Sequence, residues 1–169
     1  MRGLISINSC FWSTKMKWWS KYPYGEYYRT NFNGKDIVFF KGGIRKVCAS
    51  ASTEYMINKF DLQKVIVIGT CTSVSDSFDY NDIIIPTKLV DYDSVIREIS
   101  FDVDEGNLIE ADEINISLDY SDGILGSSDK ALVLWKDLTY LASVGIDASD
   151  MESYAVCKVC KINNIDFLV

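Results

Sequence analysis

Three short stretches carry residue types that can act on a small polar ligand: Gly69-Thr70-Cys71-Thr72-Ser73, Gly126-Ser127-Ser128-Asp129 and Ser149-Asp150-Met151-Glu152-Ser153. The first two follow strand-like apolar runs and the third opens a helix. In an open α/β sheet, ligands collect at the carboxyl ends of the strands. Glu152 falls in the first turn of the expected helix, where the helix dipole favours a negative charge. Two readings follow. Glu152 can belong to the helix cap, with Ser149 or Asp150 as the N-cap residue. Alternatively, its carboxylate can accept two hydrogen bonds from a sugar diol. Asp129 can likewise cap the helix after it. Gly42-Gly43 and Gly69-Thr70 read as a turn and a strand stop, or as backbone N–H groups aimed at an anion or a ribose oxygen.

Composition narrows the chemistry. The 169 residues contain no histidine, which excludes Ser-His-Asp and Cys-His machinery and the usual zinc hydrolases. Acid–base work must come from carboxylates, tyrosine, lysine or cysteine. Five cysteines, an odd number, fit a reducing compartment, and cytoplasmic residence is the expectation. Cys157 and Cys160 form a C-x-x-C inside a predicted helix, and read as two small buried residues one turn apart. The net charge of −7 excludes a general nucleic-acid binder. Lys15, Lys17 and Lys21, with Trp18 and Trp19, read as a solvated helix face. No apolar run approaches the roughly 20 residues of a membrane span. The apolar stretch Leu4 to Ile7 is shorter than the core of a signal peptide.

The elements that must position these residues follow from periodicity. Residues 3–7 predict a strand and 11–21 a helix. Asn33-Gly34 between two β-rich runs predicts a hairpin of 25–32 with 35–41. Ile44, Val47, Cys48, Ala51 and Tyr55 have helical spacing, so a helix should run to about Phe60. Residues 64–70 read as a parallel strand buried on both faces. Residues 82–90 read as a strand whose Pro86 demands an edge or a bulge. Residues 100–118 look like an acidic, poorly ordered excursion. A strand is expected over 121–128, helices over 131–141 and 151–162, and a final strand over 165–169. The fold class is α/β, one mixed sheet flanked by helices, with residues 1–169 as a single domain.

Read together, these segments resemble the nucleoside phosphorylase and nucleosidase superfamily, most closely its methylthioadenosine/S-adenosylhomocysteine nucleosidases. GGIRKVCASASTEYMINKF followed by DLQKVIVIGTCTS resembles the family's Gly-x-Gly-Lys-Val-x-Ala-Ala helix, strand and ligand loop. GSSD resembles its Ser-Gly-Asp, and DMESYAVCKVCKINNIDFLV its Asp/Glu-Met-Glu helix and the strand after it. The similarity spans residues 25–169 in order. It implies a phosphorylase/hydrolase-like fold, cleavage of the bond between ribose C1′ and a purine, a small-molecule nucleoside as partner, and a homodimer. The apolar face of residues 45–60, with Trp18 and Trp19, is the candidate dimer surface. No metal or organic cofactor is implied, and charge and hydropathy give no expectation of a membrane or nucleic-acid partner. The resemblance places Glu152 on the ribose hydroxyls and Met151 against the sugar. Thr70, Cys71, Thr72 and Ser128 line the pocket, and Asp129 supports the site.

Departures from the pattern keep other readings open. The ligand loop's Gly-Gly is Thr72-Ser73, the second glycine of Gly-x-Gly-Lys is Arg45, and the middle glycine of Ser-Gly-Asp is Ser128. Ala131 and Leu132 stand where an aromatic often covers the purine. Phe11 falls near the family's water-activating glutamate, and no acid occurs in residues 1–25. The family's acid for purine N7 lies just beyond the strand that Phe167-Leu168-Val169 begins, and a long helix follows it there. The domain is therefore expected to be truncated at its C-terminus, and no residue is assigned as catalytic. The alternatives are a degenerate, non-catalytic nucleoside-binding relative and a purine nucleoside phosphorylase. Gly43 and Arg45 would supply the phosphorylase's anion site, although the arginine that phosphorylases place before the ligand loop is Val67.

Overall fold

A computed structural model describes residues 2–8, 19–74, 76, 78–93, 108–111, 117–132 and 134–169. They fall into two compact units, Met1–Thr70 with Ala155–Val169, and Cys71–Tyr154. The architecture is mixed α/β, with a six-stranded sheet in the first unit and a five-stranded sheet in the second.

In the first unit, β1 (Arg2–Asn8) lies between β4 (Lys35–Phe40) and β5 (Lys64–Gly69), parallel to both. The last strand, β11 (Asp166–Leu168), adds in parallel outside β5. On the other side β3 (Gly25–Phe32) pairs antiparallel with β4, and β2 (Ser20–Tyr22) with β3. The expected hairpin forms on Asn33 and Gly34, both at positive φ (50° and 76°), the pair of conformations that a tight two-residue hairpin turn demands. Ser20 and Lys21 belong to β2, not to the tail of a helix, so the lysine-bearing helix expected over 11–21 does not reach them. Residues 11–18, including Lys15, Lys17 and Trp18, lie outside the described residues. Trp19 stacks on Tyr28, with the Lys41 ammonium over its ring.

Helix α1 (Arg45–Phe60) forms as the spacing predicts, but it buries a different face. Ala49, Ser52, Thr53, Met56 and Ile57 face the core, whereas Ile44 and Val47 are 61 % and 76 % exposed. The polar-looking face can pack because its hydroxyls are satisfied locally. Ser52 Oγ donates to the Gly42 carbonyl (2.7 Å) and Thr53 Oγ1 to the Ala49 carbonyl (2.8 Å). Helix α3 (Ser153–Ile162) contributes Val156 and Cys160 to the same core, against Val38, Phe40, Val65 and Val67 of the sheet. Cys157 and Cys160 are fully buried free thiols, as the helix reading requires, and burial pushes the Cys160 thiol up to about 12. Strand β5 is buried at Val65 and Val67 while Ile68 is 49 % exposed, so it alternates instead of being covered on both faces.

In the second unit the strand order is β6 (Thr72–Ser73), β10 (Ala148–Asp150), β9 (Ile124–Ser127), β7 (Lys88–Asp91), β8 (Leu108–Glu110). Strand β9 is parallel to both neighbours, and the two edge strands are antiparallel. The single sheet expected from sequence is thus two. The chain leaves the first ladder after Gly69, and β6 pairs over only two residues, with β10. The strand expected over 82–90 is shorter and interrupted, with a lone bridge at Ile84 before β7. Ile85 and Thr87 donate their N–H groups to Ser121 and Gly123, so residue 86 must point its nitrogen the other way. On that side pairing with β8 begins only at Thr87, where Ala111 donates, and Pro86 therefore costs no ladder bond. Within the stretch expected to be a loose excursion, Leu108–Glu110 form strand β8. Residues 100–107 and 112–116 lie outside the described residues.

Helix α2 spans Trp135–Ser143, not 131–141. The backbone just before it is held by side chains. Asp93 accepts from Ser128 Oγ and from the Asp129 N–H, both at 2.6 Å, and Ser128 Oγ accepts from the Lys130 N–H at 2.9 Å. These bonds hold residues 128–130 in a turn, and the helix starts only at Trp135. Leu89, Ile109, Leu125, Leu141, Ile146 and Ala148 form the buried interior of this unit. Gly126 is required there, because a Cβ would come 2.8 Å from the Tyr92 ring and 3.0 Å from Ile146. No described helix is long and apolar enough to cross a membrane.

Candidate functional site

The strand ends of the second unit carry most of the predicted site. Strand β9 ends at Ser127 and β10 at Asp150, parallel and in register, and the Ser128 N–H donates to the Asp150 carbonyl at 3.2 Å. Two residues, Met151 and Glu152, form the turn from β10 into α3, and both are half-buried. Glu152 therefore stands in the turn and not in the first helical turn.

The helix cap is made by Asp150. Its Oδ2 accepts the Ser153 N–H at 2.9 Å and also the Ser153 hydroxyl, and its Oδ1 accepts the Ser127 hydroxyl at 2.5 Å. The Glu152 N–H bonds the same carboxylate. Ser127 Oγ in turn accepts the Tyr154 N–H at 3.0 Å. The N–H groups that a helix start leaves without partners are thus satisfied by two side chains from two adjacent strands. Of the two cap residues considered from sequence, Asp150 holds the helix, whereas Ser149 is buried with its hydroxyl on Tyr92 (3.0 Å). Burial pushes the Asp150 carboxyl above the usual carboxylate value, against the pull of its hydrogen-bond donors. Cys71 is exposed as a residue, but partial desolvation of its thiol, and then the nearby Asp150 charge, raise that group as well.

The other predicted residues separate by unit. Cys71 and Thr72 enter the second unit, Thr72 paired with Ser149, and both are exposed. Ser128 is buried and Asp129 half-buried, both tied to Asp93. Asp129 does not cap α2, whose N-cap position is Leu134. Thr70, Gly43 and Arg45 belong to the first unit. Thr70 is exposed after β5. Gly43 and Arg45 sit at φ 79° and 71°. Arg45 thus keeps a backbone conformation that glycine adopts freely, at the position where the family pattern has glycine.

Sequence reading missed two carboxylates. Asp93 holds the Ser128-Asp129 backbone from 35 residues away, and no local pattern signals such a partner. Asp137 is 3 % exposed and pairs with the Lys130 ammonium at 2.7 Å. Together with Tyr92, Ser128, Leu132 and Tyr140 these groups border a cleft of about 160 Å³.

The sequence model of the phosphorylase superfamily matches residues 14–118, well over half of the chain. The chain belongs to the phosphorylase superfamily. Among curated relatives, it is 24 % identical over 165 residues to the 5′-methylthioadenosine/S-adenosylhomocysteine nucleosidase of Staphylococcus haemolyticus, covering 85 % of this chain and 70 % of that one. It is 27 % identical over 158 residues to the enzyme of the same name from Buchnera aphidicola, covering 84 % and 68 %. Among solved structures, the nucleosidase of Campylobacter jejuni superposes with a TM-score of 0.84 at 19 % identity, covering 99 % of this chain and 82 % of that one. A futalosine hydrolase mutant of Helicobacter pylori superposes with a TM-score of 0.83 at 18 % identity, covering 100 % and 86 %. At these identities the structural likeness establishes the fold of this phosphorylase-superfamily chain. Its mixed α/β architecture is the one the sequence resemblance implied.

Proposed function

We propose that this chain is a purine nucleosidase-like protein that takes nucleosides of the methylthioadenosine/S-adenosylhomocysteine type and hydrolyses their N-glycosidic bond. One observation carries the reading. Glu152 stands half-buried in the turn where β10 hands over to α3, a helix start whose cap oxygens come from Asp150 and Ser127. A half-buried carboxylate at the carboxyl end of a strand suits a ribose diol, which offers it two donors. In this reading Met151 packs on the sugar, Cys71, Thr72 and Ser128 line the pocket, and Asp129 supports it. The names of the relatives point to the same substrate class, and one Helicobacter pylori structure holds 5′-methylthioadenosine in its active site. Cleavage builds positive charge on the sugar and requires the purine to leave protonated or hydrogen-bonded at N7. No residue of this chain is assigned to those proton transfers.

Two further parts belong to the proposal. The chain pairs as a homodimer through the exposed Ile44–Val47 side of α1, because apolar residues left in water together favour association. It resides in the cytoplasm, in keeping with the free thiols of the four described cysteines. The test is release of free adenine from 5′-methylthioadenosine and S-adenosylhomocysteine by the purified chain, with and without phosphate. Release without phosphate, abolished by Glu152→Gln, is the expected result. Release only with phosphate would move the reading to a phosphorylase using Gly43 and Arg45. No release, with nucleoside still bound, would make the chain a binding protein.

A further inference from the structure

Asp150 is a costly choice for a helix cap. Serine, threonine or asparagine caps a helix about as well without placing a carboxylate where desolvation disfavours its charge. Moreover, α1 is the longer helix and begins with no side-chain cap at all, so this fold does not need such a device to start a helix. What the Asp150 carboxylate does beyond capping is to gather donors from three places. They are the backbone N–H groups of Glu152 and Ser153, the Ser153 hydroxyl, and the Ser127 hydroxyl on the neighbouring strand. One of those donors is the main chain of Glu152 itself. Ser127 then passes the restraint on to the Tyr154 N–H. The two-residue turn that carries Met151 and Glu152 is therefore fixed at both ends to one part-buried carboxylate, which also ties it to β9.

We propose that Asp150 is a positioning residue that locks the Met151-Glu152 turn so that the Glu152 carboxylate meets both hydroxyls of a ribose. The inference rests on the nucleoside reading above and specifies what sets its preference for a ribose diol. Charge-assisted hydrogen bonds are directional, and a carboxylate free to swing would hold one hydroxyl as readily as two. With the turn locked, loss of the diol removes two bonds at once. With the turn loosened, the ligand can still bind through its base and 5′ group, but its hydroxyls no longer matter.

The test is calorimetric titration of the full chain with 5′-methylthioadenosine and with its 2′,3′-dideoxy counterpart. The chain is compared with Asp150→Asn, Asp150→Ala and Ser127→Ala, and Glu152→Gln serves as the reference for a lost diol contact. The unaltered chain should prefer the ribonucleoside by roughly tenfold or more, the worth of charged hydrogen bonds. That ratio should fall towards one in Asp150→Ala and Ser127→Ala. It should be partly kept by Asp150→Asn, whose amide can still accept from Ser153. Should Asp150→Ala fail to fold, Ser127→Ala carries the comparison. A role in capping alone lowers the unfolding midpoint and leaves the ratio untouched, so an unchanged ratio in the folded variants overturns the proposal. If the unaltered chain binds both ligands equally or neither, the ribose reading itself falls, and the role of Asp150 with it.

Discussion

The starts of α1 and α3 solve one problem in opposite ways. Each helix begins with backbone N–H groups that lack partners inside the helix. At α3 they are met by Asp150 and Ser127, two side chains anchored on adjacent strands. At α1 the N-cap residue is Ile44, no side chain caps, and no acidic residue occupies the first turn. Its first residue, Arg45, sits in the left-handed region at φ 71°. The difference shows where local order has been built in. The α3 start over-specifies its turn, whereas the α1 start keeps an open, positively biased end that tolerates strain.

The contrast can be broken most forcefully at Asp150. Replacing it with alanine should cost about 3 kcal/mol, because the cap is lost and several buried donors lose their acceptor. Urea denaturation measures this, and a loss no larger than that of an ordinary surface substitution would mean the α3 start is not over-specified. The pH dependence sharpens the same point. Burial holds the folded Asp150 carboxyl above its ordinary value of 3.8, so the folded chain binds that proton more tightly than the unfolded chain. Its stabilising contribution is full below that ordinary value and is lost as pH rises through the folded one. The stability of the unaltered chain relative to Asp150→Asn should therefore fall from mildly acidic to neutral buffer. A flat or rising difference would contradict the assignment.

At α1 the expected changes are gains. Ile44→Asp should add about 1 kcal/mol by supplying both a cap and a favourable charge. Arg45→Gly should add about 0.5–1 kcal/mol by relieving the left-handed backbone, seen as a higher unfolding midpoint. The smallest effect is expected from Val47→Glu. It should change monomer stability by less than about 0.5 kcal/mol, since Val47 is 76 % exposed. Sedimentation of that variant should show a monomer where the unaltered chain pairs.

Much of this fold is readable from sequence where one local rule decides. Asn33-Gly34 placed the hairpin because few residue pairs accept positive φ twice. The run 64–68 placed a parallel strand because uninterrupted β-branched residues have few alternatives. The face of α1 was not readable in the same way. Ile44 and Val47 of its apolar stripe point outward, Tyr55 only borders the core, and Ser52 and Thr53 pack inward because each finds a carbonyl acceptor, one of them ten residues away. The turn that precedes α2 escaped for the same reason, since Asp93 holds the Ser128 hydroxyl and the Asp129 N–H from a distant loop. At the site, sequence singled out the turn residues Met151 and Glu152 and named Asp150 as a possible cap. It could not show that Ser127 shares that cap, because the pairing of β9 with β10 brings them together across 23 residues.

The burial of Cys157 and Cys160 has a consequence for observing this molecule at work. Among the described cysteines, Cys48 and Cys71 are open to solvent while these two are sealed. An alkylating reagent acts on the thiolate, which a thiol shifted to about 12 hardly forms at neutral pH. Cys160 should therefore be modified only during moments when α3 lifts from its sheet. Peptide mass spectrometry over time would separate the fast and slow sites. The slow rate would give the free energy of that opening with no label engineered into the chain. A nucleoside that grips the turn at the head of the helix should slow the rate further, turning two inert sulfur atoms into a native gauge of occupancy.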